Sequence, residues 1–390
     1  MRTLLTAETL WNGTSLLDHP MVMIEDGKIA SVTTSAASEL PAHARVLDYP
    51  GATLAPAFFD VHLHGAAGHD VMEATPQALS AIGRFLASRG TGSFLATTVT
   101  ASLDTTLSSL SGLAKLIAHP HGVAEAHPIG IHLEGPFLSH IKRGVHPTEY
   151  LLAPDLALFD QLYEAAEGHI RLMTLAPELP GAVELAAHAT TRGVRVSLGH
   201  SNANAVQTRA AIEAGAVSAT HTFNTMRPLE NREPGIVGVV LTTDSLYAEL
   251  ICDGIHTAPE LVSLWSRAKG PDKAILVTDA ISATGMPDGE YQLGGLADGF
   301  SVHVANGKAT LAGVLAGSVL TLDRALANFV AFTSAPLDHA LRLVTVNPAA
   351  MTGLGDQAGS LAIGQPANLV AVDPAGKLID SIRHGQPIKL

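Results

Sequence analysis

The stretch Phe59-Asp60-Val61-His62-Leu63-His64-Gly65 places two imidazoles two residues apart at the close of an apolar run, Ala52 to Phe59. Along extended backbone, residues i and i+2 point to the same side, so His62 and His64 can face one ion from the end of one strand. Glu134, His200, His221 and Asp279 end four later strand-like runs. Imidazole nitrogens and carboxylate oxygens without a thiolate are the donors of a hard-to-borderline divalent ion. Each residue alone has a plainer reading: a turn carboxylate, a hydrogen-bonded core histidine, a helix cap. Six of them at strand ends read as a metal site.

The elements that must position these residues alternate. Eight strand-like runs can be counted: Leu54–Asp60, Ser93–Val99, Ile129–Glu134, Ile170–Leu175, Val194–Gly199, Val217–His221, Tyr247–Asp253 and Ala274–Asp279. Amphipathic helical patterns fall between most of them. Thr75-Pro76 opens one as a cap and first-turn proline, with Leu79, Ile82 and Leu86 on one face and Gly90 just past its end. Strand–helix alternation implies parallel strands with right-handed crossovers, and eight of them a (β/α)8 TIM barrel. A doubly wound sheet is the alternative. In a barrel the chemistry sits at the C-terminal strand ends, where the six residues fall.

Both chain ends read as β. Met21–Glu25 and Lys28–Val32 flank Asp26-Gly27, a hairpin signal, and Ala367–Val372 is a late strand run. The expected architecture is therefore a small β-sandwich domain from residues 1–54 and 352–390, beside a barrel of residues 55–351. A polar insertion, Ser282 to Asn306, follows the eighth strand.

Composition narrows the classes. The 390 residues are 47% hydrophobic and 15% charged, against a typical charged share of about 25%, which favours a large core. A formal net charge of −13 leaves no basic footprint for nucleic acid or an anionic membrane. A phosphate-bearing substrate stays admissible, because a few local arginines decide that matter within a Debye length of about 8 Å. No apolar run reaches a membrane span, and Glu8 and Asn12 interrupt any signal-peptide core. The single cysteine, Cys252, has no intrachain partner and no base beside it in sequence, so it reads as a core residue. The expectation is a cytoplasmic protein.

Several segments carry a more specific signal: Val61–Gly65, His132-Leu133-Glu134-Gly135-Pro136-Phe137, Leu198–Ser201, Thr220–Met226, Arg232-Glu233-Pro234-Gly235, Asp253–His256, Val277–Ala280 and Asn347–Ala350. With them the chain resembles the amidohydrolase superfamily, and within it the amino-sugar-phosphate deacetylases. The resemblance implies Glu134, His200 and His221 as principal metal ligands and Asp279 as acid/base. It places Val145, His146, Asn224, the Thr225 backbone, Arg232, Asp253, His256, Leu315, Ala316 and Gly317 around a sugar phosphate. His62 and His64, which some members replace, would hold a second ion. Strand four, His169–Thr174, offers no lysine for a carbamylated bridge, so Glu134 would have to do any bridging. Thr225 stands where alanine is common, which a backbone contact tolerates.

The implied activity is metal-dependent hydrolysis of the N-acetyl amide of N-acetylglucosamine 6-phosphate, giving glucosamine 6-phosphate and acetate. The galactosamine epimer, another amidohydrolase activity, and a non-catalytic scaffold are the alternatives. One or two divalent ions (Zn, Fe, Mn, Co or similar) per subunit and a homodimer are implied in the same way.

Overall fold

The computed structural model describes residues 2–34, 44–119, 122–295 and 299–388. All eight expected barrel strands form: Phe58–Leu63, Thr91–Thr97, His127–Glu134, Ile170–Leu175, Arg195–Leu198, Ala216–Ala219, Tyr247–Ile251 and Ala274–Val277. They pair in parallel, in chain order. The first and last strands meet through a parallel bridge between Leu63 and Ala280. His64 N donates to Ala280 O at 2.7 Å and Asp279 N to His62 O at 2.9 Å. The barrel therefore closes through three of the residues singled out for metal chemistry.

Helix signals translate directly. Thr75 caps Pro76–Ser88 by accepting from Ala78 N, and Leu79, Ile82 and Leu86 are buried against the barrel. Burying side chains of this size stabilises by about 1.5–3 kcal/mol each. The helix stops where Gly90 takes φ 83°, a left-handed turn open to glycine at little cost.

The first strand is displaced from its expected position at Leu54–Asp60. Residues Arg45–Pro56 form a terminal-sheet strand, with Thr53–Pro56 paired antiparallel to Leu369–Val372, and the chain changes sheets at Ala57. His62 consequently lies on a barrel strand, not beyond its end. An unbroken apolar run concealed this change, since both sheets bury it.

Strands from the two termini assemble into one eight-stranded sheet. Its alternation serves two cores: Leu54, Leu369 and Ala371 pack with Leu5, Val22 and Ile24, while Ala55, Val370 and Val372 pack into the barrel's core. The Asp26-Gly27 turn joins Pro20–Glu25 to Lys28–Thr34, with φ 49° and 79° at its two residues. The polar insertion carries the strands Gly289–Leu293 and Phe300–Ala305 of an antiparallel sheet that continues beyond it through Lys308–Leu311 and Val314–Leu315. Residues 296–298 of it lie outside the described residues. Gly294 N donates to buried Asp70 at 2.8 Å, which ties this sheet to the barrel mouth. Among the described residues, no helix is long and apolar enough to cross a membrane.

Candidate metal centre

The six sequence-selected donors converge at the C-terminal mouth of the barrel, all buried. Left-handed backbone turns three of them inward: φ is 48° at His200, 28° at His221 and 52° at Asp279. Such conformations cost non-glycine residues about 1–3 kcal/mol and persist where the surroundings over-determine them, characteristically at working sites.

Two groups of donors share Glu134. His200 Nε2 and His221 Nε2 lie 3.3 and 3.4 Å from Glu134 Oε1 and 3.1 Å from each other. A tetrahedral ion with bonds of about 2.0–2.1 Å holds its ligand atoms roughly 3.3–3.4 Å apart. The other carboxylate oxygen, Oε2, lies 3.4 Å from His62 Nε2 and 3.3 Å from His64 Nε2. Those nitrogens are 3.4 and 3.0 Å from Asp279 Oδ1. Glu134 thus offers one oxygen to each group, the geometry of a bridging carboxylate. Buried His62 Nε2 and Glu134 Oε1 have no hydrogen-bond partner among the described residues. Orphaned polar atoms of this kind are costly in a protein interior and mark a place for an ion. The donor set fits a divalent cation.

The far sides of three of the four rings are held; His221 Nδ1 is buried without a hydrogen-bond partner among the described residues. His64 Nδ1 lies 3.1 Å from Thr97 O, His200 Nδ1 3.0 Å from Lys142 O, and His62 Nδ1 3.2 Å from Glu249 Oε2. Donation from Nδ1 fixes the tautomer that leaves Nε2 free for a metal. His132, in the motif beside Glu134, faces Thr97 and Thr174 instead and stands behind the site.

Charge in the metal-free cluster is coupled. Burial opposes a charged ring at His62, but Glu134, Glu249 and Asp279 raise its pKa well above the usual value. The same competition, with Asp279 and Glu134 prevailing, lifts His64 to about 9. Burial would raise Glu134, yet His62, His200 and His221 hold it well below the carboxylate range. Asp279 is likewise depressed, with His64 its strongest opponent to burial. Metal binding must displace the protons these rings hold.

A cleft of about 290 Å³ opens over the donors. Of the expected substrate contacts, Val145, His146, Asn224, Thr225, His256, Leu315 and Gly317 line it. His146 is held by Thr100 Oγ1 at 2.8 Å, and burial followed by the charge of His200 lowers it to about 3, so it enters as a neutral ring. Asp253 is not in the wall; it holds His256 Nδ1 at 2.7 Å, and this pairing prevails over burial to raise the pKa of that ring. Ala316 is buried behind the lining. Arg232 is exposed and outside the lining, so the structure does not bring it to the cleft of its own chain. Cys252 is buried, which pushes its thiol up and away from nucleophilic use.

Sequence reasoning passed over Glu249, fully buried inside the barrel strand Tyr247–Ile251. A carboxylate alternating with Ala248 and Leu250 was the available signal. It also missed the wall contributed by Val99, Gly144, Leu293 and Val314. Leu293 and Val314 arrive from the inserted sheet, whose approach to the cleft no local pattern encodes.

Comparison with known proteins agrees with this geometry. Residues 53–388 match the model of the amidohydrolase family. An N-acetylgalactosamine-6-phosphate deacetylase of Escherichia coli O157:H7 is 38% identical over 96% of this chain and 96% of its own. An N-acetylglucosamine-6-phosphate deacetylase of Lysinibacillus sphaericus is 37% identical over 97% of this chain and 95% of its own. A solved mutant of the N-acetyl-D-glucosamine-6-phosphate deacetylase of Mycobacterium smegmatis, in complex with N-acetyl-D-glucosamine-6-phosphate, superposes with a TM-score of 0.91. It is 35% identical, with 100% of both chains covered. With its barrel, its convergent donors and relatives matched end to end, this chain belongs to the amidohydrolase family.

Proposed function

We propose that the protein hydrolyses the acetamide of N-acetylglucosamine 6-phosphate to glucosamine 6-phosphate and acetate. The observation that carries this reading is the placement of Asp279 on the floor of the cleft, 3.0 Å from His64 Nε2 and among the convergent donors. Glu134, His200 and His221 would hold the principal divalent ion, and His62, His64, Asp279 and the second Glu134 oxygen another. A first-row ion such as Zn, Fe, Mn or Co suits these donors. Such an ion, when bound, supplies Lewis acidity and brings the pKa of water from about 15.7 to near neutrality.

The remaining work falls to the chain. The imidazoles around Asp279 keep its carboxylate ionised, so it can take the proton released as water oxygen bonds to the acetyl carbon. It returns that proton to the amide nitrogen as the C–N bond breaks. His146, Asn224, Thr225 and His256 would orient the sugar, with Asp253 fixing the His256 ring. Leu315 and Gly317 shape the wall, and Ala316 supports it from behind. Arg232 is proposed for the phosphate; since it lies outside its own cleft, that role requires movement of its loop or a second copy of the chain. We propose a homodimer of the cytoplasm, each chain divided near the expected 1–54 with 352–390 and 55–351, the first boundary moved to Ala57, where the chain changes sheets.

The second reading is the galactosamine epimer, favoured by the 38% identity to an N-acetylgalactosamine-6-phosphate deacetylase. Comparing acetate release from the two epimers, each with and without the 6-phosphate, tests both.

A further inference from the structure

At the end of the barrel opposite the metal donors, a cavity of about 290 Å³ lies where the terminal sheet meets the beginnings of the barrel strands. Gly92, Ser93 and His127 line it from the starts of Thr91–Thr97 and His127–Glu134, and Asn368, Arg383 and His384 from the C-terminal segment. The strand that begins at His127 ends at Glu134. At about 3.3 Å per residue, roughly 23 Å of strand separates this cavity from the donors.

Arg383 is 2% exposed. Its Nη1 donates to Gly92 O at 3.3 Å and its Nη2 to Glu125 O at 2.5 Å, while Nε has no partner among the described residues. A guanidinium carries five N–H groups, so most of its donor capacity is unspent. No described carboxylate pairs with it. Glu125 turns its own side chain to Ser80 and Arg84, and Asp380 accepts from Tyr49. Asp356, the one carboxylate residue in the cavity wall, is exposed. Burial alone pushes the pKa of Arg383 down to about 10, with no neighbouring negative charge opposing it. Gly92 gives the guanidinium its room, since an added Cβ would come 3.0 Å from Nη1.

A buried charge is ordinarily paired, because desolvating it alone is costly. The groups around Arg383 suit an anion as the missing partner. Asn368 Oδ1 accepts from His384 N at 3.1 Å, which leaves its Nδ2 as a further donor, and Ser93 adds a hydroxyl. The planar fork of arginine matches carboxylate and phosphate oxygens.

We propose that this cavity binds a small oxyanion, the carboxylate or phosphate of a small molecule, with Arg383 as its charge partner and Asn368 as a second donor. The anion would tie the terminal sheet to the barrel. The proposal is independent of the activity assigned to the metal centre.

The test is calorimetric titration with inorganic phosphate and with acetate, on metal-loaded protein and again after chelation. Anion held by the metal centre is lost on chelation, whereas binding at the cavity should survive it at one equivalent; the tighter of the two probes names the group. Arg383→Met should weaken that binding at least roughly tenfold, since it removes a charge-assisted hydrogen-bonding partner. Should Arg383→Met fail to fold, Asn368→Asp carries the test. It keeps the acceptor for His384 N and places a carboxylate in the cavity, so it should abolish anion binding and raise Tm above that of anion-free wild type. No anion bound by chelated wild type, undiminished binding in Asn368→Asp, or a lower Tm in that variant overturns the proposal.

Discussion

Glu249 Oε2 lies 3.2 Å from His62 Nδ1, and the same oxygen accepts from His221 N at 3.3 Å. One buried carboxylate therefore orients a ligand of each donor group. His62 belongs with His64 and Asp279, and His221 with Glu134 and His200. Partners of this kind are typically worth 10–100-fold in metal affinity. Glu249→Gln should weaken metal binding by about that factor, most at the His62 group, with the barrel folded. Metal titration of the stripped variant checks it; wild-type affinity at both groups would remove Glu249 from the site.

Replacing a principal donor should be harsher. His200→Ala leaves Glu134 and His221 with an incomplete set, so ion and activity should be lost together. Because an ion that binds only the folded state stabilises it by about 2.7 kcal/mol at a hundredfold excess over Kd, removing metal from wild type should lower Tm. The same chelation should lower Tm of His200→Ala by less than that of wild type, because only the His62/His64 group can still hold an ion. Full metal occupancy in His200→Ala would contradict the assignment.

Asp279→Asn preserves shape but cannot accept a proton. Loss of a positioned general base typically costs about 10²–10⁴ in rate. The variant should bind substrate with turnover reduced by that order; retention of more than about a tenth of wild-type turnover would exclude the role. As Asp279 also stands among the donors, metal content must be measured on the same sample.

The His62/His64 group depends on Glu134 Oε2, an oxygen of a residue shared with the other group, so its ion should be the weaker. Titration of stripped wild type should show more than one equivalent bound. The double variant His62→Ala/His64→Ala should hold one and lose only part of its activity. A folded, singly loaded double variant with no activity would make the pair essential and reverse the ranking of the two groups.

How far the sequence reaches is set by how local each signal is. Strand-end residues such as Glu134 and His221 were legible because one short apolar run ends at each, and a barrel brings its strand ends together. The Thr75-Pro76 cap and the Asp26-Gly27 turn are equally local. The boundary at Ala57 was not, because two sheets bury the adjoining runs and leave no change of polarity between them. Glu249 looks like a solitary carboxylate until His62, nearly two hundred residues earlier, is folded against it. Arg232 illustrates the converse: a motif can mark a residue without showing that its own chain brings it to the cleft.

Acetate release measured on one preparation, as purified, after chelation and after divalent ion is restored, decides whether the donors at the barrel mouth carry the hydrolysis. The substrates are N-acetylglucosamine 6-phosphate, N-acetylgalactosamine 6-phosphate and the two unphosphorylated sugars. Acetate is expected from N-acetylglucosamine 6-phosphate in preference to the other three, abolished on chelation and recovered with metal. Folded, metal-loaded protein that releases no acetate from either phosphorylated sugar, or releases it equally well without metal, would contradict that role of the donors.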